Sequence, residues 1–340
     1  MQPPRRALGS STVSPRSGVI TGIGIAVPDT VVTNVDLEQL MDTNDEWIVE
    51  RTGIRERRWG DRGPSSLATE ACRNAMDDAG VGPADIDLLI LATCSPEFTL
   101  PGSSAQVQHD LGLTCGAFDL GAACSGFMYS MVTAHAFFNM GMNRILIVGS
   151  EQLSRIIDKH DRGTAILFGD GAGAAVIEAC EGEGDLLSFD LGVDGSAVSA
   201  LFTVPGQFTQ MDGKEVYRKA VRAVVETSKL SLERAKMTIE DIDWVIPHQA
   251  NVRIIEAAMS RLHWPMERTS TSLEWYGNTS AASIPLALHH ELEQGHIKPG
   301  DHVLMCGFGA GMTWASAVVR WGGVHRDGEH GPRRAAEAPT

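Results

Sequence analysis

Two short strings occur twice in this chain, in the same order. Asp85-Ile86-Asp87 returns as Asp241-Ile242-Asp243, each opening an apolar, strand-like run; Phe168-Gly169-Asp170-Gly171 returns as Phe308-Gly309-Ala310-Gly311, each leading into another. A helical pattern precedes both DID strings. Ordered self-similarity of this kind marks a duplicated architecture, in which each copy buries an apolar face against the other. The repeat predicts two similar α/β halves, 19–180 and 190–321, packed together. Runs such as 88–92, 145–148, 244–246 and 303–305 are continuously apolar rather than alternating, as expected of strands covered on both faces. Sites in such sheets form beyond the strand carboxyl ends. Cys124, His248 and Phe308-Gly309 all follow strand-like runs, so one site between the halves could collect them.

Cys124 is the most reactive of these groups. It sits in FDLGAACSGFM (118–128), where an apolar approach gives way to small residues and then to a helical pattern up to about Asn139. Small residues flanking one reactive side chain suit a tight strand-to-helix turn, by the steric logic of the serine elbow of hydrolases. A helix N-terminus favours an anion by ~0.3–2 kcal/mol, and about 1.36 kcal/mol is one pKa unit. The expectation is a thiol lowered from ~8.5 to roughly 7.

Composition narrows the function classes. With 340 residues and 43% hydrophobic content the chain can bury a large core, and a net charge of −15 disfavours nucleic acid and anionic membrane as partners. No run reaches the length of a membrane-spanning helix. The six cysteines form no CxxC pair and no metal-ligand spacing with the histidines, which predicts reduced thiols in a cytoplasmic protein without a metal. Residues 1–18 and 322–340 are polar, lack an apolar core pattern, and are expected to be disordered tails.

Three further segments carry chemistry. His248 closes the strand-like WVIP and opens a helix near Ala250 with Asn251 and Arg253 in its first turn; Asn278 lies in WYGNTSAASIP; and GFGAGMTW (307–314) offers successive backbone N–H groups without the Lys-Ser/Thr of a phosphate loop. From local sequence, Asn278 reads equally as a turn or cap residue.

Together, FDLGAACSGF, DRGTAILFGDGAGAAV, VIPHQANVRII, GNTSAASIPLAL, GFGAGMTW and TNDEWIVERTGIRERRW resemble 3-oxoacyl-[acyl-carrier-protein] synthase III, a thiolase-like condensing enzyme, over residues 19–321. The resemblance implies a duplicated, five-layered α/β/α/β/α fold and a homodimer. It implies that Cys124 takes an acyl group from acyl-CoA, and that His248 and Asn278 stabilise the enolate left when malonyl-acyl carrier protein loses CO2. Backbone N–H groups of Cys124, Gly309 and Ala310 would form the oxyanion hole. No cofactor is implied, acyl-CoA being a substrate. Trp47 and Arg162 match a pair that sandwiches the CoA adenine, Arg51 and Asn251 match further CoA contacts, and Leu100 and Phe308 match acyl-pocket positions, Leu100 entering from the partner subunit. Arg253 matches the carrier-docking arginine; Lys214, Arg218, Lys219, Arg222 and Arg261 are candidates for the same basic face, which an acidic chain needs to meet an acidic carrier.

The segment from about Val193 to Met211 looks shorter than is typical of the family, which leaves acyl specificity open. A family relative that passes the acyl group to oxygen or nitrogen is the rival reading. A papain-like protease would use Cys, His and Asn too, but gives no reason for duplicated halves.

Overall fold

A computed structural model of the chain describes residues 16–322. The two expected tails lie outside the described residues except at their inner edges, where the first strand already begins at Ser17.

The first part of the chain runs β1 (Ser17–Ala26), β2 (Val31–Thr33), α1 (Asn34–Glu38), α2 (Asp45–Thr52), β3 (Glu56–Arg58), α3 (Pro64–Ala79), β4 (Leu88–Ala92), α4 (Ser103–Leu111), β5 (Gly116–Leu120), α5 (Gly126–Phe138), β6 (Arg144–Glu151) and β7 (Gly171–Cys180). The second runs β8 (Leu186–Val193), β9 (Leu201–Phe202), β10 (Gln210–Met211), α6 (Gly213–Ala235), β11 (Trp244–Pro247), α7 (Val252–Leu262), α8 (Leu273–Tyr276), α9 (Ser283–Glu293), β12 (His302–Gly309) and β13 (Thr313–Arg320).

Two mixed sheets carry the same topology. One has the order β1-β7-β6-β4-β5, the other β8-β13-β12-β11. In each, the first three strands pair antiparallel and the third pairs parallel with the fourth. The repeated DID string does the same work in both copies. Asp85 and Asp241 cap the short turns before β4 and β11 by accepting the amides of Gly82 (2.8 Å) and Thr238 (2.7 Å). Asp87 then accepts Asn143 N (2.6 Å) at the start of β6, and Asp243 accepts His302 N (2.8 Å) at the start of β12, so each carboxylate sets a parallel strand pair in register.

Strand alternation builds the layers. Leu88, Ile90, Ile145 and Ile147 of one sheet, and Ile246, Val303 and Met305 of the other, share a single central core with Phe127, Met128 and Met131 of α5 and Ile284, Ala287 and Leu288 of α9. Their neighbours Leu89, Leu91, Leu146 and Val148 face outward onto α3 and α4. Val245, Leu304 and Cys306 face α6 and α7. The sequence of layers is therefore helix, sheet, helix, sheet, helix, with α5 and α9 in the middle. Strand β8, at Leu186, joins the second sheet a few residues before the expected start of that half.

Candidate active site

Each central helix is entered through a strained single turn. Ala123, directly before Cys124, has φ +46, and Ser280, two residues after Asn278, has φ +48. Non-glycine residues adopt this region rarely, and at functional sites the surrounding contacts hold them there. Cys124 is 8% exposed at the head of α5. A Cβ added to Gly309 would lie 2.6 Å from Cys124 N, so the repeated Phe-Gly string at the end of β12 presses its backbone against the cysteine turn. Thr313 Oγ1 donates to Ala122 O (3.0 Å) and ties the turn to the start of β13.

His248 ends β11. Its backbone N–H donates to Cys306 O (2.7 Å), its Nδ1 lies 2.5 Å from Ser283 Oγ, and its ring meets Phe308 edge to face at 5.2 Å. Ser283 Oγ already accepts Gln249 N–H (3.3 Å), which leaves its own hydrogen for Nδ1 and favours the tautomer with the ring proton on Nε2. Burial pushes the imidazole down to about 3, so it is neutral at ordinary pH. Asn278 is gripped by the first Phe-Gly string: its N–H donates to Leu167 O (2.8 Å) and its carbonyl accepts Gly169 N–H (2.9 Å). Its side-chain oxygen accepts Ser280 N–H (2.9 Å), leaving the amide nitrogen as the group for the cavity it lines.

Cys124, His248 and Asn278 line one cavity of about 520 Å³, together with Phe308 and Gly309. Its lining grades from these buried groups to Trp47, Arg51, Arg162, Asn251, Arg253 and Lys214 nearer solvent. A second cavity of about 170 Å³ also reaches Cys124 and is walled by Leu153, Ile156, Ile157, Phe168, Leu201 and Phe202. The hairpin β9–β10, within the segment left open above, supplies Leu201 and Phe202 to this wall.

One expectation is overturned. The Cys124 thiol is not lowered: burial is the largest influence and pushes it up to about 12, because the desolvation of a thiolate outweighs anything a helix end can supply. Phe308 walls the larger cavity beside His248, and the aromatic rings of the smaller one are Phe168 and Phe202. Arg162 and Arg51 both lie over the Trp47 ring, at 4.4 and 4.7 Å, so the stack between Trp47 and Arg162 is closed and has no room for a base. Leu100, expected to act across a dimer, is 86% exposed and lines neither cavity of its own chain.

The basic face is smaller than predicted. Arg218 pairs with Glu215 (2.8 Å), Arg222 with Glu226 (2.8 Å) and Lys219 with Asp194 (2.9 Å), and all three cations line a separate cleft beside α6 and β8. Lys214 and Arg253 stay at the larger cavity, Ala310 reaches the smaller one, and Arg261 is exposed in the last turn of α7. Asn251 caps α7 by accepting Arg253 N (2.9 Å) and donates to Arg51 O (3.0 Å), a bracing role that the sequence does not announce. Sequence reasoning missed Ser280 and Glu151, which lie behind Cys124. The string GNTSAAS did point to Ser280, whereas Glu151 is one acid among 43 Asp and Glu.

Comparison with known proteins bears on these groups. Residues 118–195 match the family model 3-oxoacyl-[acyl-carrier-protein (ACP)] synthase III, and residues 232–321 match its C-terminal counterpart. A β-ketoacyl-[acyl-carrier-protein] synthase III of Bacillus anthracis is 48% identical over 308 residues, which is 89% of this chain and 98% of that one. The chain belongs to the 3-oxoacyl-[acyl-carrier-protein] synthase III family. It is accordingly an acyltransferase with the thiolase-like fold. The synthase III of Aquifex aeolicus superposes with a TM-score of 0.87 at 41% identity, over 89% of this chain and all of that one. The priming β-ketosynthase of the R1128 polyketide pathway does so with a TM-score of 0.86 at 35% identity, over 92% of this chain and 99% of that one. Among the described residues no helix is long and apolar enough to cross a membrane, and no group of three His, Cys, Asp or Glu could hold a metal ion.

Proposed function

We propose that this synthase III takes an acyl group from acyl-CoA onto Cys124 and joins it, with loss of CO2, to malonyl-acyl carrier protein, giving a 3-oxoacyl-carrier protein. The observation that carries the reading is the meeting of a buried thiol with two neutral hydrogen-bond donors, His248 and Asn278, at the closed end of one cavity. Transfer of the acyl group from one thioester to another is close to balanced in energy and needs only a nucleophile. Decarboxylation leaves negative charge on the malonyl thioester oxygen, which His248 Nε2–H and the Asn278 amide receive. A neutral imidazole suits this task, since it donates without having to lose a proton first. Attack of the carbon on the acyl-Cys124 carbonyl builds a second oxyanion for the backbone N–H groups of Cys124 and the Gly309-Ala310 turn, each such donor being worth ~2.7–4 kcal/mol.

The acyl chain enters the cavity of about 170 Å³ behind Cys124. At ~30 Å³ for a water-sized group this holds a chain of roughly five carbons. The CoA nucleotide occupies the rim at Trp47, Arg51, Arg162 and Asn251 once Arg162 leaves the Trp47 ring. The carrier docks on Arg253, Lys214 and Arg261. Two copies form a homodimer, with Leu100 of each reaching the acyl pocket of the other. The cytoplasm is the compartment consistent with six unpaired cysteines.

Intact-protein mass after incubation with acetyl-, butyryl-, isobutyryl- and hexanoyl-CoA tests the first step, and CO2 release from malonyl-carrier protein tests the second. Cys124→Ala is expected to take no label, whereas His248→Ala and Asn278→Ala load but fail to decarboxylate. Labelling of the Cys124 variant overturns the nucleophile. Normal decarboxylation by both other variants favours transfer to oxygen or nitrogen instead.

A further inference from the structure

The grip on Asn278 is itself held from behind. Asn278 N–H donates to Leu167 O (2.8 Å). The carbonyls on either side of this acceptor are taken by β3 and the residue after it: Ile166 O accepts Arg57 Nη2 (2.8 Å), and Phe168 O accepts Trp59 Nε1–H (2.8 Å). Backbone bonds extend the clasp in both directions. Asp170 N–H donates to Arg58 O (2.8 Å), and Arg55 N–H donates to Glu274 O (3.0 Å) in α8, the helix that leads into Asn278. Gly169 and Gly277 lie against the stem of Arg57, since a Cβ on them would come within 3.3 and 3.1 Å of Arg57 Cβ.

Arg57 is the unusual member of this group. It has no solvent exposure, and its guanidinium donates to Val32 O (3.2 Å), Asn34 Oδ1 (2.8 Å) and Ile166 O, none of them a carboxylate. Among the described residues it forms no ion pair; Asn34, which donates to Asp45 Oδ1 (2.8 Å), stands between it and the nearest acid of α2. Burial lowers the guanidinium to about 10, so it is charged at neutral pH. A buried cation without an adjacent acid is costly, and only its hydrogen bonds offset that cost. Charge-assisted bonds from a planar fork are stronger and more directional than those of a neutral donor. Here the fork joins β2, the start of α1 and the strap formed by residues 166–168.

We propose that Arg57 and Trp59 are positioning residues for decarboxylation: by fixing the strap on both sides of Leu167 O, they hold the Asn278 amide where the enolate oxygen forms. The inference rests on Asn278 donating to that oxygen. Neither Arg57 nor Trp59 lines either cavity at Cys124, so neither touches substrate. The turn at Cys124 is braced separately, by Gly309 and Thr313. Loosening the clasp should therefore separate the two half-reactions, sparing acyl loading and slowing loss of CO2.

Arg57→Met keeps a long stem and removes the donors, and Trp59→Phe keeps an aromatic ring and removes Nε1–H. Both are made in the full-length protein, and acetyl-CoA is used at saturation so that differences in binding do not enter. Single-turnover CoA release should stay within about threefold of wild type, whereas kcat for CO2 release from malonyl-acyl carrier protein should fall roughly 10- to 100-fold with KM little changed, the scale of a misplacement approaching 1 Å. Each variant is then combined with Asn278→Ala. Residues that act through Asn278 should lower the residual CO2 release no further, whereas a general loosening of the fold would lower it by the same factor in either background and would slow loading too. Where Asn278→Ala leaves no measurable CO2 release, the split between loading and decarboxylation decides. Should Arg57→Met fail to fold, Trp59→Phe, which leaves the buried fork in place, decides alone. Undiminished CO2 release, an equal loss of both steps, or a full additional loss on top of Asn278→Ala overturns the proposal. Normal CO2 release by Asn278→Ala alone instead refutes Asn278 as the donor, and the proposal with it; the clasp by itself fails when Asn278→Ala loses CO2 release and the clasp variants do not.

Discussion

Gly309→Ala tests whether backbone contact between the halves sets Cys124, the proposed nucleophile. A Cβ at position 309 would lie 2.6 Å from Cys124 N, 2.9 Å from Thr313 Oγ1 and 3.0 Å from Ala123 Cβ. The backbone there is extended, with φ −152, which alanine adopts readily, so the cost is one of contact and not of conformation. Recovering an ordinary contact of 3.4 Å requires Cys124 N to move by about 0.8 Å, and the Thr313–Ala122 hydrogen bond opposes that movement. Overpacking of this kind costs ~1–3 kcal/mol of stability. A shift approaching 1 Å at a reacting group costs up to roughly 10²-fold in rate. Gly121→Ala is the matched control, since it lies in the same approach to Cys124 but its Cβ would have nothing within 4 Å. We expect Gly309→Ala to slow single-turnover loading by roughly 30- to 100-fold and Gly121→Ala to leave it within about twofold. Denaturant unfolding of both variants separates the stability loss from the kinetic one. Wild-type loading in Gly309→Ala, or an equal loss in Gly121→Ala, would refute the argument.

Two other outcomes follow from the site. Leu100→Trp should suppress hexanoyl loading while sparing acetyl, provided a second copy delivers position 100 to the pocket; each methylene excluded from burial is worth ~0.8 kcal/mol, and equal loading of all starters by the variant would place the size limit on Phe202 and its hairpin. For His248, burial holds the folded imidazole at about 3 against an ordinary 6.5, so between these values the unfolded chain binds the extra proton. This group therefore contributes stability that is fully present above about pH 6.5 and is lost as pH falls towards about 3. The acid limb of the stability profile should flatten in His248→Gln, and an unchanged limb would contradict the assignment.

What the sequence discloses depends on how local the physics is. The turn at Cys124, the strand before His248 and the strands that the paired DID strings open are each set within a dozen residues, and all were legible; that the DID carboxylates cap the preceding turns was not. The ionisation of Cys124 was not, because a helix terminus can be read from sequence whereas the depth at which two sheets bury it cannot. Arg218 illustrates the reverse error. Its charge is visible in any composition, but its capture by Glu215 three residues earlier depends on which face of α6 meets solvent. Glu151 closes β6, three residues past its apolar run 145–148, and looks like a surface residue until the turn at Ser280 covers it.

The duplicated strings acquire a meaning that neither copy has alone. Phe168-Gly169 of the first half holds Asn278 of the second, through Asn278 N–H to Leu167 O and Gly169 N–H to Asn278 O. There a Cβ on Gly169 would meet Tyr276 O at 2.3 Å. Phe308-Gly309 of the second half presses on Cys124 of the first. Each copy of the motif thus braces the turn at the head of the other copy's central helix, where the proposed mechanism places Cys124 and Asn278. A half standing alone would keep a reactive side chain and lose the backbone that aims it. The two contacts hold Cys124 and Asn278, carried by different halves, at a set separation across the interface, which the carbon–carbon bond formation proposed above requires.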